Sequence, residues 1–342
     1  MRQAPQILPR LSIAILALAG CAGHTTSPVA SPGMVRGTDA SAPAIEEWEF
    51  MGRPGKMIRT DSYRVFTTEP DPALVAALPV FLEQALNTYT TEFGPLPRPP
   101  MKLDTFLMGD RQQWEAMTRQ LMGDQAGPYL KIDRGGFASG GRAVLRGIGR
   151  RDTLAIAAHE GWHQYTQRTF RDPLPAWLEE GAAVWMEGFV MEPGGAEFRA
   201  WANAERYDQL VRIVSDNRIW PLKQLLATNP QTLIGESTEA TLTYYAQLWG
   251  LMLFLREGAG GRFAPDLNRV MADAASGRLN EALKGANAAS RLAPRGIQVF
   301  NAYFADPEAV GREYALFLRT ITETQLRPQI VRGESPVIGT PR

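Results

Sequence analysis

The spacing of hydrophobic and polar residues changes several times along the chain, and each change predicts an element. Lys56–Thr68 alternates, with Tyr63, Val65 and Thr67 on one face, which predicts a strand. Pro72–Phe93 places Leu74, Leu78, Phe81, Leu82, Ala85 and Tyr89 at helical spacing. Lys102–Met108 alternates again, with Leu103, Thr105 and Leu107 on one side, and a helix is predicted over Asp110–Leu121. Gly135–Gly149 (GGFASGGRAVLRGIG) reads as a glycine-flanked hairpin or edge strand. Beyond residue 150 nearly every apolar run has a helical period. The predicted class is therefore α+β. A small sheet-containing N-terminal subdomain covers 45–150, a helical subdomain covers 151–324, and 325–342 reads as a loose tail.

Two of the helical patterns bear on the chemistry. Asp152 is a suitable N-cap for a helix running to about Arg168, with Leu154, Ala158, Trp162 and Tyr165 along one stripe. In Pro173–Gly188 (PLPAWLEEGAAVWMEG), Pro175 can open a helix, and Trp177, Glu180, Gly181, Val184 and Trp185 then share a face. Glu180 falls on that apolar stripe, while Glu179 is turned aside. A carboxylate aimed at a core needs a partner there.

Composition narrows the class without naming a job. The 342 residues are 44% hydrophobic and 21% charged with a formal net charge of zero, so nothing points to a nucleic-acid partner. The first residues are more informative. Arg2 and Arg10 precede Leu11–Ala19 (LSIAILALA), an apolar run too short to span a bilayer and laid out like a secretory signal. Leu18-Ala19-Gly20-Cys21 resembles a bacterial lipoprotein lipobox, which implies removal of residues 1–20 and acylation of Cys21. Cys21 is the only cysteine, so no disulfide can form within the chain. Residues 21–44 lack aromatics and read as a flexible tether with a reach of about 25 Å.

The chemistry gathers in Ala157–Arg168 (AAHEGWHQYTQR). Two of the three histidines, His159 and His163, stand at i and i+4 and share one face of the expected helix, so both rings can address one ion. The third, His24, lies in the tether. Glu160 is rotated by about 100° from His159, where a base beside a metal would stand. A catalytic zinc takes three protein ligands and keeps one position open, so the third ligand has to be a carboxylate, and Glu180 is the first choice. Glu179 and Glu187 come next. The glycine run at 135–149 fails as a phosphate loop because Arg142-Ala143 stand where Lys and Ser/Thr are required.

His159-Glu160-Gly161-Trp162-His163, followed by Trp177-Leu178-Glu179-Glu180-Gly181-Ala182-Ala183, resembles the gluzincin zinc metallopeptidases. The pattern is similar to H-E-x-x-H…W-L-x-E-G-x-A of the aminopeptidase-N type, and more particularly to peptidase-MA-like bacterial envelope lipoproteins. The resemblance implies a thermolysin-like fold, zinc held by His159, His163 and Glu180, and Glu160 as general base. It also implies Glu187 as a partner of a ligand histidine and Tyr245 as the stabiliser of an oxyanion. The Gly135–Val144 edge would pair with an extended substrate. Gly135–Arg142 has no acid to hold a free amino end, which favours an endopeptidase over an exopeptidase.

The expectation is therefore a zinc-dependent hydrolase of peptide bonds in the bacterial cell envelope, with a protein or peptide substrate and a membrane contact through lipid at Cys21. Ala22 after the cysteine points to the periplasmic side of the outer membrane, again by resemblance. The alternative is a non-catalytic zinc-containing lipoprotein that acts as a binding module. A purely structural site is normally closed by four protein ligands, and only three are found.

Overall fold

The computed structural model describes residues 12–15, 43–133, 135–233, 237–285 and 292–337. Its strands are β1 (Ser12–Ile15), β2 (Ala44–Phe50), β3 (Arg53–Arg59), β4 (Tyr63–Thr67), β5 (Leu103–Met108), β6 (Gly135–Ser139) and β7 (Arg142–Arg146). They form one mixed sheet in the order β1-β6-β7-β5-β4-β3-β2. The centre is parallel (β4 with β5, β5 with β7) and both flanks are antiparallel. Parallel neighbours need a crossover. These are supplied by α1 (Pro72–Thr91) between β4 and β5, and by α2 (Arg111–Met122) and α3 (Ala126–Leu130) between β5 and the β6–β7 hairpin.

Local chemistry sets the boundaries. Asp71 accepts a hydrogen bond from the Ala73 N–H at 3.0 Å and caps α1, with Pro72 at its first position. Asp110 caps α2 through the Gln113 N–H at 2.8 Å. The β6–β7 hairpin turns on Gly140 and Gly141, with φ of 57° and 72°, a two-residue connection that favours glycine at both places.

Helices dominate the rest. They begin with α4 (Arg150–Thr169) and α5 (Ala176–Met186), followed by a small hairpin of β8 (Phe189–Glu192) and β9 (Gly195–Phe198). Then come α6 (Ala204–Ser215), α7 (Leu222–Ala227), α8 (Pro230–Leu233), α9 (Thr238–Glu257) and α10 (Ala264–Ser276), with further helices at Arg295–Tyr303, Pro307–Ile321 and Arg327–Val331. The architecture is α+β. One sheet face carries Val65, Leu103, Leu107 and Leu145 into a core shared with α1, α4, α5 and α9. The other face packs Met108, Phe137 and Val144 against Trp114 and Met117 of α2. Among the described residues no helix is long and apolar enough to cross a membrane.

Three expectations need correction. Lys56–Thr68 is not one strand but parts of two, because the chain turns between Arg59 and Tyr63 and the Thr60 N–H reaches the Tyr63 carbonyl at 3.0 Å. Asp152 is not the N-cap of α4. The helix starts three residues earlier, after Gly149, whose φ of 106° suits glycine, and Asp152 adds negative charge to the first turn. The tail is not loose over its described part, residues 325–337. Ile330 is buried, and Arg327 forks onto Asp208 at 2.9 and 2.8 Å. The expected signal segment and tether, Cys21 and His24 included, lie outside the described residues apart from 12–15, 43 and 44.

Candidate metal centre

Helix α4 is buried all round from Thr153 to Thr166, enclosed by α1, α5 and the sheet. Such a helix has no face on which polar side chains reach water, so each must find a partner inside. Two glycines let the neighbours close in. A Cβ on Gly161 would stand 2.6 Å from the Tyr89 hydroxyl, which donates to the Ala158 carbonyl at 2.7 Å. A Cβ on Gly181 of α5 would stand 2.9 Å from Met252 Cγ of α9. The glycine inside the H-E-x-x-H turn is thus where α1 meets α4.

His159 and His163 are fully buried one turn apart, with ring centroids 5.0 Å apart. Glu180 reaches between them from α5. Its Oε2 lies 3.5 Å from His159 Nε2 and 3.6 Å from His163 Nε2, too far for good hydrogen bonds. All three atoms are buried without a hydrogen-bond partner among the described residues. Three orphaned donor atoms converging on one point fit a cation. An ion bonded at about 2.1 Å to tetrahedral ligands separates those ligands by about 3.4 Å, close to the two spacings seen. The buried group His159, His163 and Glu180 can therefore bind a metal ion.

The opposite ring nitrogens are both fixed by carboxylates. His159 Nδ1 lies 2.8 Å from Glu187 Oε1, and His163 Nδ1 lies 2.8 Å from Glu179 Oε1. Each such contact turns the free Nε2 toward the ion position. Glu179 is held in turn by the Thr166 hydroxyl at 2.7 Å. Glu187, at the end of α5, accepts two hydrogen bonds from the Arg206 guanidinium at 3.0 Å each and one from Asn203 at 3.1 Å.

The electrostatics follow from this crowding. Burial alone would depress both imidazoles, but the carboxylates around them prevail. His159 is raised by Glu180 and Glu187, and His163 is raised well above its ordinary range by Glu180 and Glu179. Burial would raise the two deep glutamates, yet His163 and His159 bring Glu180 down to about 2, and Arg206 and His159 do the same for Glu187.

Glu160 is fully buried on α4 beside the ligand pair. Tyr245 of α9 packs its ring 6.1 Å from that of His159, beneath the Arg206 guanidinium at 5.4 Å. Burial, and then the charge of Glu180, raises the Tyr245 hydroxyl well above its ordinary range. The neighbouring Tyr244 hydroxyl is buried with no hydrogen-bond partner among the described residues.

The structure brings His159, Glu160, His163, Glu180, Glu187 and Tyr245 into one site. The sequence offers Glu179 only as a reserve ligand, not as the partner of His163, and gives Arg206 no role. Glu179 was read as turned aside; it is turned from the core stripe of α5 but onto His163. The signal for Arg206 was present, because it shares the buried face of α6 with Leu210 and Ile213 and is a charge on an apolar stripe, as Glu180 is. The chain matches no family model and no curated protein.

Proposed function

We propose that the chain is a zinc-dependent peptidase of gluzincin type, with a thermolysin-like arrangement of its two halves, which hydrolyses internal peptide bonds of proteins in the bacterial cell envelope. The observation that carries this reading is the buried convergence of His159 Nε2, His163 Nε2 and Glu180 Oε2, with Glu160 on the same helix. Two imidazoles and one carboxylate form the ligand set of a catalytic zinc with a fourth position left to substrate, and a structural site would be closed by a fourth residue. Lipid on Cys21 would hold the chain at the membrane.

Zinc bound by these three residues supplies Lewis acidity, which acidifies water and polarises a carbonyl. The protein supplies the rest. Glu160 takes the proton of the attacking water and returns it to the leaving amine. Glu187 and Glu179 hold the two rings, and Arg206 holds Glu187 in its ionised form. Tyr245 offers its hydroxyl to the developing oxyanion. With no acid in Gly135–Arg142 to take a free amino end, internal bonds are the substrate.

The test is metal content and turnover on one set of proteins. Wild type should carry about one zinc per chain, Glu180→Ala should lose it, and Glu160→Gln should keep it while turnover of unfolded protein disappears. A fully active Glu160→Gln protein would sink the mechanism. Bound zinc with no hydrolysis of any peptide library would instead favour a binding module.

A further inference from the structure

The end of α4, the end of α10 and the loop that follows α1 wall an open cavity of about 580 Å³, and none of its walls belongs to the metal centre. Four arginines stand around it: Arg98 on the loop, Arg168 and Arg171 at the end of α4, and Arg278 just after α10. No acid and no lysine is among the described residues that line it. The whole chain has a formal net charge of zero, so this excess is local.

An exposed arginine is ordinarily content with water, and one near a helix C-terminus is stabilised by the helix dipole. Neither explanation accounts for the cluster. The ends of α4 and α10 each offer about half a negative charge. Asp273 holds Arg278 at 2.9 Å, and Asp172 is buried and takes two hydrogen bonds from Asn280. Arg98 reaches only the neutral Asn87 side chain, at 2.6 Å, and Arg168 and Arg171 form no ion pair among the described residues. An excess of about one to two positive charges is left facing the cavity.

The rim is built rather than loose. Prolines flank Arg98 closely in Pro95-Leu96-Pro97-Arg98-Pro99-Pro100, which restricts the backbone that carries it. Two glycines make room for the others: a Cβ on Gly141 would collide with Arg168 Nε, and one on Gly277 would stand 3.3 Å from Arg171 Cβ. A rim ordered in advance lowers the entropy that a ligand must overcome.

We propose that this cavity binds a terminal phosphate group. Each guanidinium is a planar fork that grips two oxygens. A carboxylate has two oxygens and one charge, enough for a single fork. A phosphate monoester has three terminal oxygens and about 1.5–2 negative charges, which match several forks and the local excess. The same group is carried by a soluble ester and by a lipid headgroup. Arg168 lies five residues beyond His163, about 7.5 Å along the helix axis, so the anion would rest at the foot of the metal-site helix. The proposal does not depend on the peptidase reading.

The test is calorimetric titration of the full chain with glycerol phosphate, and with dihexanoylphosphatidate below its micellar concentration. One anion should bind per chain. Arg168→Gln/Arg171→Gln should weaken binding about a hundredfold, since each charged hydrogen bond contributes about tenfold or more. Arg312→Gln/Arg319→Gln removes the same charge from the helix Pro307–Ile321 and should leave binding unchanged, and both pairs should melt as wild type does. Binding of the lipid more than about tenfold tighter than the ester would assign a headgroup, and equal binding a soluble ester; either supports the site. No binding of either probe would overturn the proposal, as would equal weakening by the two arginine pairs, or succinate binding as tightly as glycerol phosphate. Binding that survives in Arg168→Gln/Arg171→Gln and disappears with a chelator would place the anion on the metal and overturn it too.

Discussion

Replacing Arg206 by methionine keeps most of the buried stem and removes the guanidinium that grips Glu187. Arg206 is 1% exposed and Glu187 4% exposed, and the two share a bidentate contact of 3.0 Å per bond. Breaking a buried pair costs about 3–5 kcal/mol when the remaining charge has no other partner, and the low end, about 3 kcal/mol, applies where other groups still touch it. Glu187 keeps only His159 and Asn203 as partners, so its carboxyl should rise from its depressed value. A less ionised Glu187 holds the His159 ring less firmly, and loss of such a partner weakens metal binding by about 10- to 100-fold, or about 1.4–2.8 kcal/mol. Urea unfolding of chelator-stripped protein measures the first effect, and competition with a chromophoric chelator measures the second. The double variant Glu187→Gln/Arg206→Met should be more stable than Arg206→Met alone, because it buries no unpaired ion. A cost under about 1 kcal/mol with unchanged metal affinity would refute the reasoning.

The remaining expectations concern pH, packing and catalysis. Glu180 and Glu187 sit at about 2 against an ordinary 4.5, so their contribution to stability is present above about pH 4.5 and lost as pH falls toward 2. His159 and His163 lie above their ordinary 6.5, so theirs is complete below about pH 6.5 and lost as pH rises through the raised values. Melting of chelator-stripped protein should therefore be highest between about pH 4.5 and 6.5, and zinc binding at neutral pH should release protons; an optimum above pH 8 would contradict both. Gly161→Ala should lower unfolding stability by about 1–2 kcal/mol, because displacing Tyr89 outweighs the roughly 1 kcal/mol gained in helix propensity. A stabilised variant would show that Tyr89 does not set that position. Tyr245→Phe should reduce kcat about a hundredfold at unchanged zinc content. An unchanged kcat would transfer the role to Tyr244.

What could be read in advance was whatever repeats at a fixed spacing. The histidine pair, Glu180 on its apolar stripe, the α1 helix and the β6–β7 hairpin all declare themselves through period or turn chemistry. Where two rules compete, spacing fails. Asp152 is a good capping residue, but Gly149 begins the helix earlier because its backbone angles suit only glycine. The roles of Glu179 and Arg206 depend on which helix lies against which, and a one-dimensional pattern does not contain that. The β8–β9 hairpin is not legible for another reason: its strands are four residues each, too short for an alternation to stand out.

The site's principal residues are close neighbours along the chain. His159 and Glu187 are 28 positions apart, with His163, Glu179 and Glu180 between them, whereas the Trp177 indole must find the Gly296 carbonyl across 119 positions. Closing a short loop costs less entropy than closing a long one, and it happens sooner. The α4–α5 hairpin can thus meet its ion while the later helices are still unfolded. If a metal fills the site, its capture would then be an early step in folding, and a chain starved of metal should linger as a collapsed species with its C-terminal helices undocked.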